Sequence, residues 1–395
     1  MNRNILLVGL LFALMPTSIF AQKQRSQAFR DKYTLKEAVI LSRHNIRAPL
    51  STKGSLLEQV TTHPWFEWTA GASELTTRGS ALENQFGLYF RKWSVDAGLF
   101  KENATPSRNE VLIYANSMQR CIATANYFTT ALFPVADVPV NHRFVPSKMD
   151  PVFFPQLTKS SKSFRAQAMK EIAAMGGKKG IIGINEGLKE SYEITAKVLD
   201  LKDSPACKEK NLCAFDNYNT QLILNKGDEP RMKGSLKDAT TCSDALILQF
   251  YEEPDAKKAA FGHDITLDDW TKISKIKDVY GDVLFTAPVV SVNVAHPLLV
   301  YMRDELMDKD RKLAFLCGHD SNIASVTAAL EVEPYDLPCS IEKKTPIGCK
   351  LVIEKFEGKD GQMYCDINLT YQSTEQLRHI AMLSLDNPPQ IFSLS

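Results

Sequence analysis

The chain has 395 residues, 44% of them apolar, and 47 basic side chains against 46 acidic ones leave a formal charge of +1. That length and apolar content suffice for a large buried core. A charge so near zero excludes a basic field that would draw the chain to nucleic acid or anionic lipid, so any local cluster of arginine is a specific feature.

At the N-terminus Arg3 precedes the apolar run Ile5 to Met15, and Pro16, Thr17 and Ser18 lead to Ala21-Gln22. A charged start, a short hydrophobic stretch and a small residue at a cleavage point predict a signal peptide over 1–21. The run falls short of the roughly 20 residues that span a bilayer, so no membrane anchor is expected after its removal. A periplasmic or secreted location follows, and it permits disulfides. Of the eight cysteines, Cys207 and Cys213 flank a short polar loop and form the best candidate pair. Cys121 and Cys317 lie in apolar runs and serve equally well as buried thiols. No CxxC pair or His/Cys cluster in the sequence supports a structural zinc site.

Three later segments share one pattern: a short apolar run, a polar cluster, then a helical stretch. The first is Glu37 to Leu41 followed by Ser42-Arg43-His44-Asn45; the second is Val111 to Ala115 followed by Asn116 to Arg120. The third is Leu313 to Cys317 followed by Gly318-His319-Asp320-Ser321. Such runs read as strands buried on both faces, and strand–loop–helix units imply an α/β fold with a mainly parallel sheet flanked by helices. Between the first two units Leu82, Phe86, Tyr89, Phe90 and Trp93 recur at helical spacing and predict a core-facing helix. The stretch 141–262, with helical runs Ser163 to Ala174 and Glu186 to Leu199, predicts a mostly helical cap inserted between core parts 22–140 and 263–395. Near the C-terminus, Lys350 to Phe356 and Met363 to Tyr371 alternate around Gly358-Lys359-Asp360-Gly361 and predict a hairpin.

Ligands of parallel sheets bind beyond the carboxyl ends of the strands, where all three polar clusters fall. Arginine forks match the peripheral oxygens of a phosphomonoester bidentately. Arg43 and Arg47 bracket His44, and neighbouring cations keep an imidazole neutral and nucleophilic. In-line attack on phosphorus would then give a phosphohistidine. Arg120 either supplies a third guanidinium or sits solvated on its helix. Asp320 either caps a helix or, as an acid, protonates the leaving alkoxide; His319 would donate to a phosphate oxygen. Three arginines and a second histidine supply charge that Mg²⁺ provides in other phosphoryl-transfer sites, so no metal or other cofactor is expected. A non-catalytic phosphate-binding protein would use the same arginines, but would need neither a neutral histidine among them nor an acid.

Arg43-His44-Asn45-Ile46-Arg47-Ala48-Pro49, Arg120 and His319-Asp320 resemble the split site of the histidine acid phosphatases, the branch holding bacterial phytases and glucose-1-phosphatases. Most members carry glycine after the nucleophile. Asn45 departs from that pattern and is similar to the glucose-1-phosphatase subgroup, as are Leu75 to Gly79, Tyr114 to Ser117, Asp203 to Lys210, Thr345 to Gly348 and Tyr371 to Arg378. The resemblance implies hydrolysis of phosphomonoesters, glucose 1-phosphate or similar sugar phosphates, with a phytase or a broad-specificity acid phosphatase as the alternative. It assigns the nucleophile to His44, the proton donor to Asp320, and phosphate binding to Arg43, Arg47, Arg120 and His319. It also points to Glu252 as a cap carboxylate facing the substrate, which would repel additional phosphates.

Overall fold

The computed structural model describes Ala13–Leu14 and residues 25–50, 54–145, 148–217 and 219–394. The expected signal segment 1–21 lies outside the described residues, apart from Ala13–Leu14, which runs parallel to Tyr364–Cys365 at the sheet edge.

Strand β1 (Tyr33–Arg43) is central, and from Glu37 to Arg43 every residue is buried. The pleat divides its side chains between two cores. Ala38 and Ile40 enter a cluster with Phe86, Phe90 and Phe128, whereas Val39 and Leu41 meet Leu298, Met302, Ile323 and Val326. The first cluster lies under α1 (Thr77–Asp96) and α2 (Gln119–Leu132), and α1 carries the aromatic stripe predicted from its spacing.

β2 (Val111–Ala115), the short β3 (Val140–Asn141) and β4 (Leu313–Gly318) complete the parallel part of the sheet. β4 lies between β1 and β2, parallel to both. On the other side of β1, β5 (Lys350–Gly358) and β6 (Met363–Tyr371) form the expected antiparallel hairpin, and β7 (Gln390–Ser393) adds to β6. A mainly parallel core flanked by helices is therefore present, with an antiparallel edge.

The second face is covered by α6 (Pro288–Met307) and α7 (Asp320–Ala329). A third apolar cluster belongs to the helical layer. There α4 (Ser235–Glu252) packs on α5 (Leu267–Phe285), with Phe250 stacked on Trp270 at 4.3 Å. Helices α3a, Lys162–Ala174, and α3b, Lys189–Val198, join it through Ala168, Ile172, Tyr192 and Val198. Ile46, Ile341 and Ile347 of the sheet-side loops belong to the same cluster, as does Leu82 of α1, so the layer is seated on the loops at the strand ends. Cys207 and Cys213 form a disulfide, while Cys121 and Cys317 are buried thiols.

Candidate active site

Three strands deliver the polar clusters to one place. β1 ends at Arg43, and the His44 N–H donates to the carbonyl of Gly318 at the end of β4 (3.0 Å). The Asn116 N–H donates to the carbonyl of Cys317 (2.9 Å), which ties the end of β2 to the same strand. The first turn of α1 presses on the loop after His44: a Cβ on Gly79 would lie 2.3 Å from the Ile46 carbonyl oxygen, and the Thr76 N–H donates to that oxygen at 3.0 Å. Arg47 is thereby held in a β-bridge with Leu75.

His44 is 5% exposed. Its Nδ1 lies 2.8 Å from the Asn45 carbonyl oxygen, which can only accept. Nδ1 therefore carries the proton and Nε2 keeps its lone pair. Burial first, then Arg120, His319, Arg47 and Arg43, hold the imidazole well below its ordinary pKa. The neutral ring is thereby favoured.

The arginines are individually anchored. The buried Arg43 guanidinium donates to Glu342 (2.8 Å), and Asp320 lies 3.6 Å from its Nη2. Arg47 pairs with Asp244 at 2.9 Å, and Arg120, in the first turn of α2, donates to the Ser73 hydroxyl. Burial and the neighbouring Arg47 depress Arg120. The Nε atoms of Arg43 and Arg120 are buried without an acceptor among the described residues. Unsatisfied buried donors of this kind are rare, and an anion would satisfy them.

The Asp150 N–H donates to Asn116 Oδ1 (3.1 Å), which fixes that amide so that its Nδ2 donates to His319 Nε2 at 2.8 Å. His319 is thereby left with Nδ1–H as its donor, its ring 5.4 Å from that of His44.

Asp320 is the first residue of α7. Its Oδ1 accepts from the Ser321 N–H, and Oδ2 pairs with Lys277 at 3.2 Å. The N-cap reading of this residue is corrected, because His319 holds the cap position and Asp320 opens the first turn, with one oxygen on the next N–H and the other facing charge. Burial alone would raise the carboxyl, but Lys277, Arg43, His44 and His319 outweigh it and hold it well below the usual carboxylate range.

These groups line a cleft of about 410 Å³ between the strand ends and the helical layer, within the range of small-ligand sites. His44, Arg47, Arg120, His319 and Asp320 face it, and Arg43 lies beside Asp320. Glu252 does not reach it. That carboxylate sits at the C-terminus of α4, against Thr76 and Arg78, with Oε1 buried. The carboxylates that do line the cleft are Glu229, Asp244, Asp278, Asp282 and Asp320. Burial raises Glu229, with His319 opposing.

Sequence reasoning missed Lys277, Asp244, Glu229 and Glu342. Only Asp244 left a trace, as an acid directly before the apolar run Ala245 to Leu248.

Asn45 has a role beyond filling a glycine position. Its Nδ2 donates to Glu83 (2.9 Å), which pairs with Lys350 at 2.7 Å; both members of that pair are fully buried. Lys350 Nζ also donates to Ser42 and lies 4.2 Å from the centre of the Phe86 ring. The backbone oxygen that orients His44 therefore belongs to a residue tied into a buried ion pair.

The model of the histidine phosphatase superfamily (branch 2) matches residues 34–383. A glucose-1-phosphatase of Salmonella typhimurium is 37% identical, covering 100% of this chain and 94% of that protein. Another glucose-1-phosphatase, from Providencia rettgeri, is 39% identical, covering 91% of this chain and 86% of its own. Among solved structures, a Hafnia alvei phytase in complex with tartrate superposes with a TM-score of 0.83 at 27% identity, covering 92% of this chain and 91% of that one. A family match over most of its length, borne on a sheet whose strand ends gather His44 and its arginines, makes this chain a member of branch 2 of the histidine phosphatase superfamily.

Proposed function

We propose that the chain hydrolyses small phosphomonoesters, sugar 1-phosphates foremost, through a phosphohistidine on His44. The observation that carries this is the His44 tautomer: Nδ1–H is committed to the Asn45 carbonyl, and Nε2 is free beside Arg47, Arg120 and His319. A binding protein has no use for that arrangement.

The phosphate dianion docks on Arg43, Arg47, Arg120 and the His319 Nδ1–H. His44 Nε2 attacks phosphorus in line, forming the N–P bond as the P–O bond to the sugar breaks. The departing alkoxide takes a proton from Asp320, whose carboxylate then removes one from the water that cleaves the phosphohistidine. As folded, Lys277 and Arg43 keep Asp320 ionised. A bound dianion opposes that cationic field and raises the carboxyl towards its working range. Proton uptake thus accompanies substrate binding, and an acidic rate optimum follows.

Glu229 and Asp244 supply the negative rim expected of Glu252, and they disfavour a second phosphate. The two relatives named glucose-1-phosphatase support the same substrate class. A second reading, an inositol phosphate, draws on Lys237 and Lys344, which also line the cleft, and on the likeness to the Hafnia alvei phytase. Residues 141–262, together with α5, would serve as the cap that closes over the sugar. The signal-like segment 1–21 and the Cys207–Cys213 disulfide support export to an oxidising compartment.

The test is steady-state turnover of glucose 1-phosphate and inositol hexakisphosphate between pH 4 and 7. Preference for the sugar phosphate is expected. Preference for the inositol phosphate would keep the chemistry and change the substrate, and no turnover of either would leave a binding protein.

A further inference from the structure

We propose that His63, Asp200 and His263 form a site for a divalent first-row transition metal, zinc by its chemistry, on the helical layer and apart from the phosphate cleft. Asp200 Oδ2 lies 2.7 Å from His63 Nε2 and 3.1 Å from His263 Nε2. The three ligand atoms all fall within 4.8 Å of one another. Metal–ligand distances of about 2.0–2.2 Å place neighbouring ligand atoms of a tetrahedral site roughly 3.3–3.6 Å apart. The 3.1 Å edge is close to that spacing, the 2.7 Å edge has to open by less than about 1 Å, and the edge between the imidazoles is already within 4.8 Å.

The ligands arrive prearranged from three separate segments. His63 precedes Pro64 in the loop after the short 3-10 turn Leu56–Glu58, and its ring stacks on Phe261 at 5.1 Å and 11°. Asp200 follows helix Lys189–Val198 in the left-handed conformation, with φ of 48°, which aspartate tolerates better than most residues. His263 lies in the turn before α5. The side chains are 32%, 37% and 24% exposed in that order, enough for an ion to enter and for water to complete its shell.

Two imidazoles and one carboxylate suit zinc, copper or nickel, whereas calcium and magnesium prefer all-oxygen shells. No residue of this triad lines the phosphate cleft, so the metal has no part in the proposed phosphoryl transfer. It would staple the loop around His63 to the two helical segments, in a layer whose described residues otherwise carry one disulfide, Cys207–Cys213.

The experiment uses the untagged full chain, stripped with chelator and held in phosphate-free buffer at pH 7.5, with zinc chloride as the probe. Calorimetry is expected to show one saturable site per chain. Saturation is expected to raise the melting temperature by about 3 °C or more, since the ion binds the folded form alone. His63→Ala and His263→Ala should each weaken binding at least about tenfold, while turnover in chelator stays at the parent level and reports that the fold is intact. Should either variant fold poorly, His263→Gln keeps the ring's approximate volume and removes the ligand nitrogen. Absence of saturable binding, or unchanged affinity in the folded variants, overturns the proposal.

Discussion

Replacing Lys350 by Met tests whether the buried pair behind His44 holds the site together. Lys350 and Glu83 are both fully buried at 2.7 Å, with Nζ facing the rings of Phe86, Phe128 and Phe315. At an effective dielectric constant of about 20, Coulomb attraction at that distance is roughly 6 kcal/mol, and the desolvation of both ions offsets much of it. Deleting one partner strands the other charge, at a cost of about 3–5 kcal/mol. Methionine fits the vacated apolar path, so Lys350→Met with Glu83→Leu should cost far less than the two single changes summed, with coupling of about 2 kcal/mol or more. Burial already pushes Glu83 up against the pull of Lys350 and Asn45. In Lys350→Met that carboxyl takes up a proton on folding, so the variant should lose most stability at alkaline pH. Urea unfolding at pH 5 and pH 8, followed by tryptophan fluorescence, measures each quantity. A single-variant cost below about 1 kcal/mol, or strict additivity in the double variant, would refute the reasoning.

Three further outcomes are expected. Burial raises Glu37 and Asp278 to about 7 and Asp282 to about 6. A carboxyl with a raised folded pKa stabilises below its unfolded value and loses that contribution as pH rises through the folded one. Asp320, Glu342 and Asp244 are depressed instead, so they lose theirs as pH falls below the usual carboxylate range. The melting temperature should therefore peak near about pH 5, and a steady climb to pH 8 would contradict this. Glu229→Ala should shift preference towards inositol hexakisphosphate by about tenfold, whereas Glu252→Ala should leave the ranking of substrates unchanged; reversed effects in competition assays would restore the rim to Glu252. Excess chelator should leave turnover intact, because arginine and histidine carry the phosphate charge; loss restored by a divalent ion would overturn that.

The sheet was legible because its strands announce themselves. Leu313 to Cys317 and Glu37 to Leu41 are short apolar runs closed by polar clusters, and burial on both faces permits little else. The same runs put Arg43, His44, Arg120, His319 and Asp320 at the strand ends before any geometry was known. Helix α4 was harder. Asp244 and Glu252 are both acids on it, separated by about 12 Å along its axis, and only its docking decides which one meets the cleft. Lys277 and Glu342 lie in segments that carry no cue to the site in their sequence. Their burial against Arg43 and Asp320 is a tertiary effect with no local signature. His63, Asp200 and His263 come from three distant segments, and no spacing rule joins them.

Rapid-quench labelling with a phosphomonoester carrying radioactive phosphate tests the central claim most directly. The account predicts acid-labile, base-stable label on His44 within the first turnover. Label should be absent in His44→Ala and longer-lived in Asp320→Asn, where the second step lacks its base. Turnover without label on His44, or label that persists in His44→Ala, would contradict it.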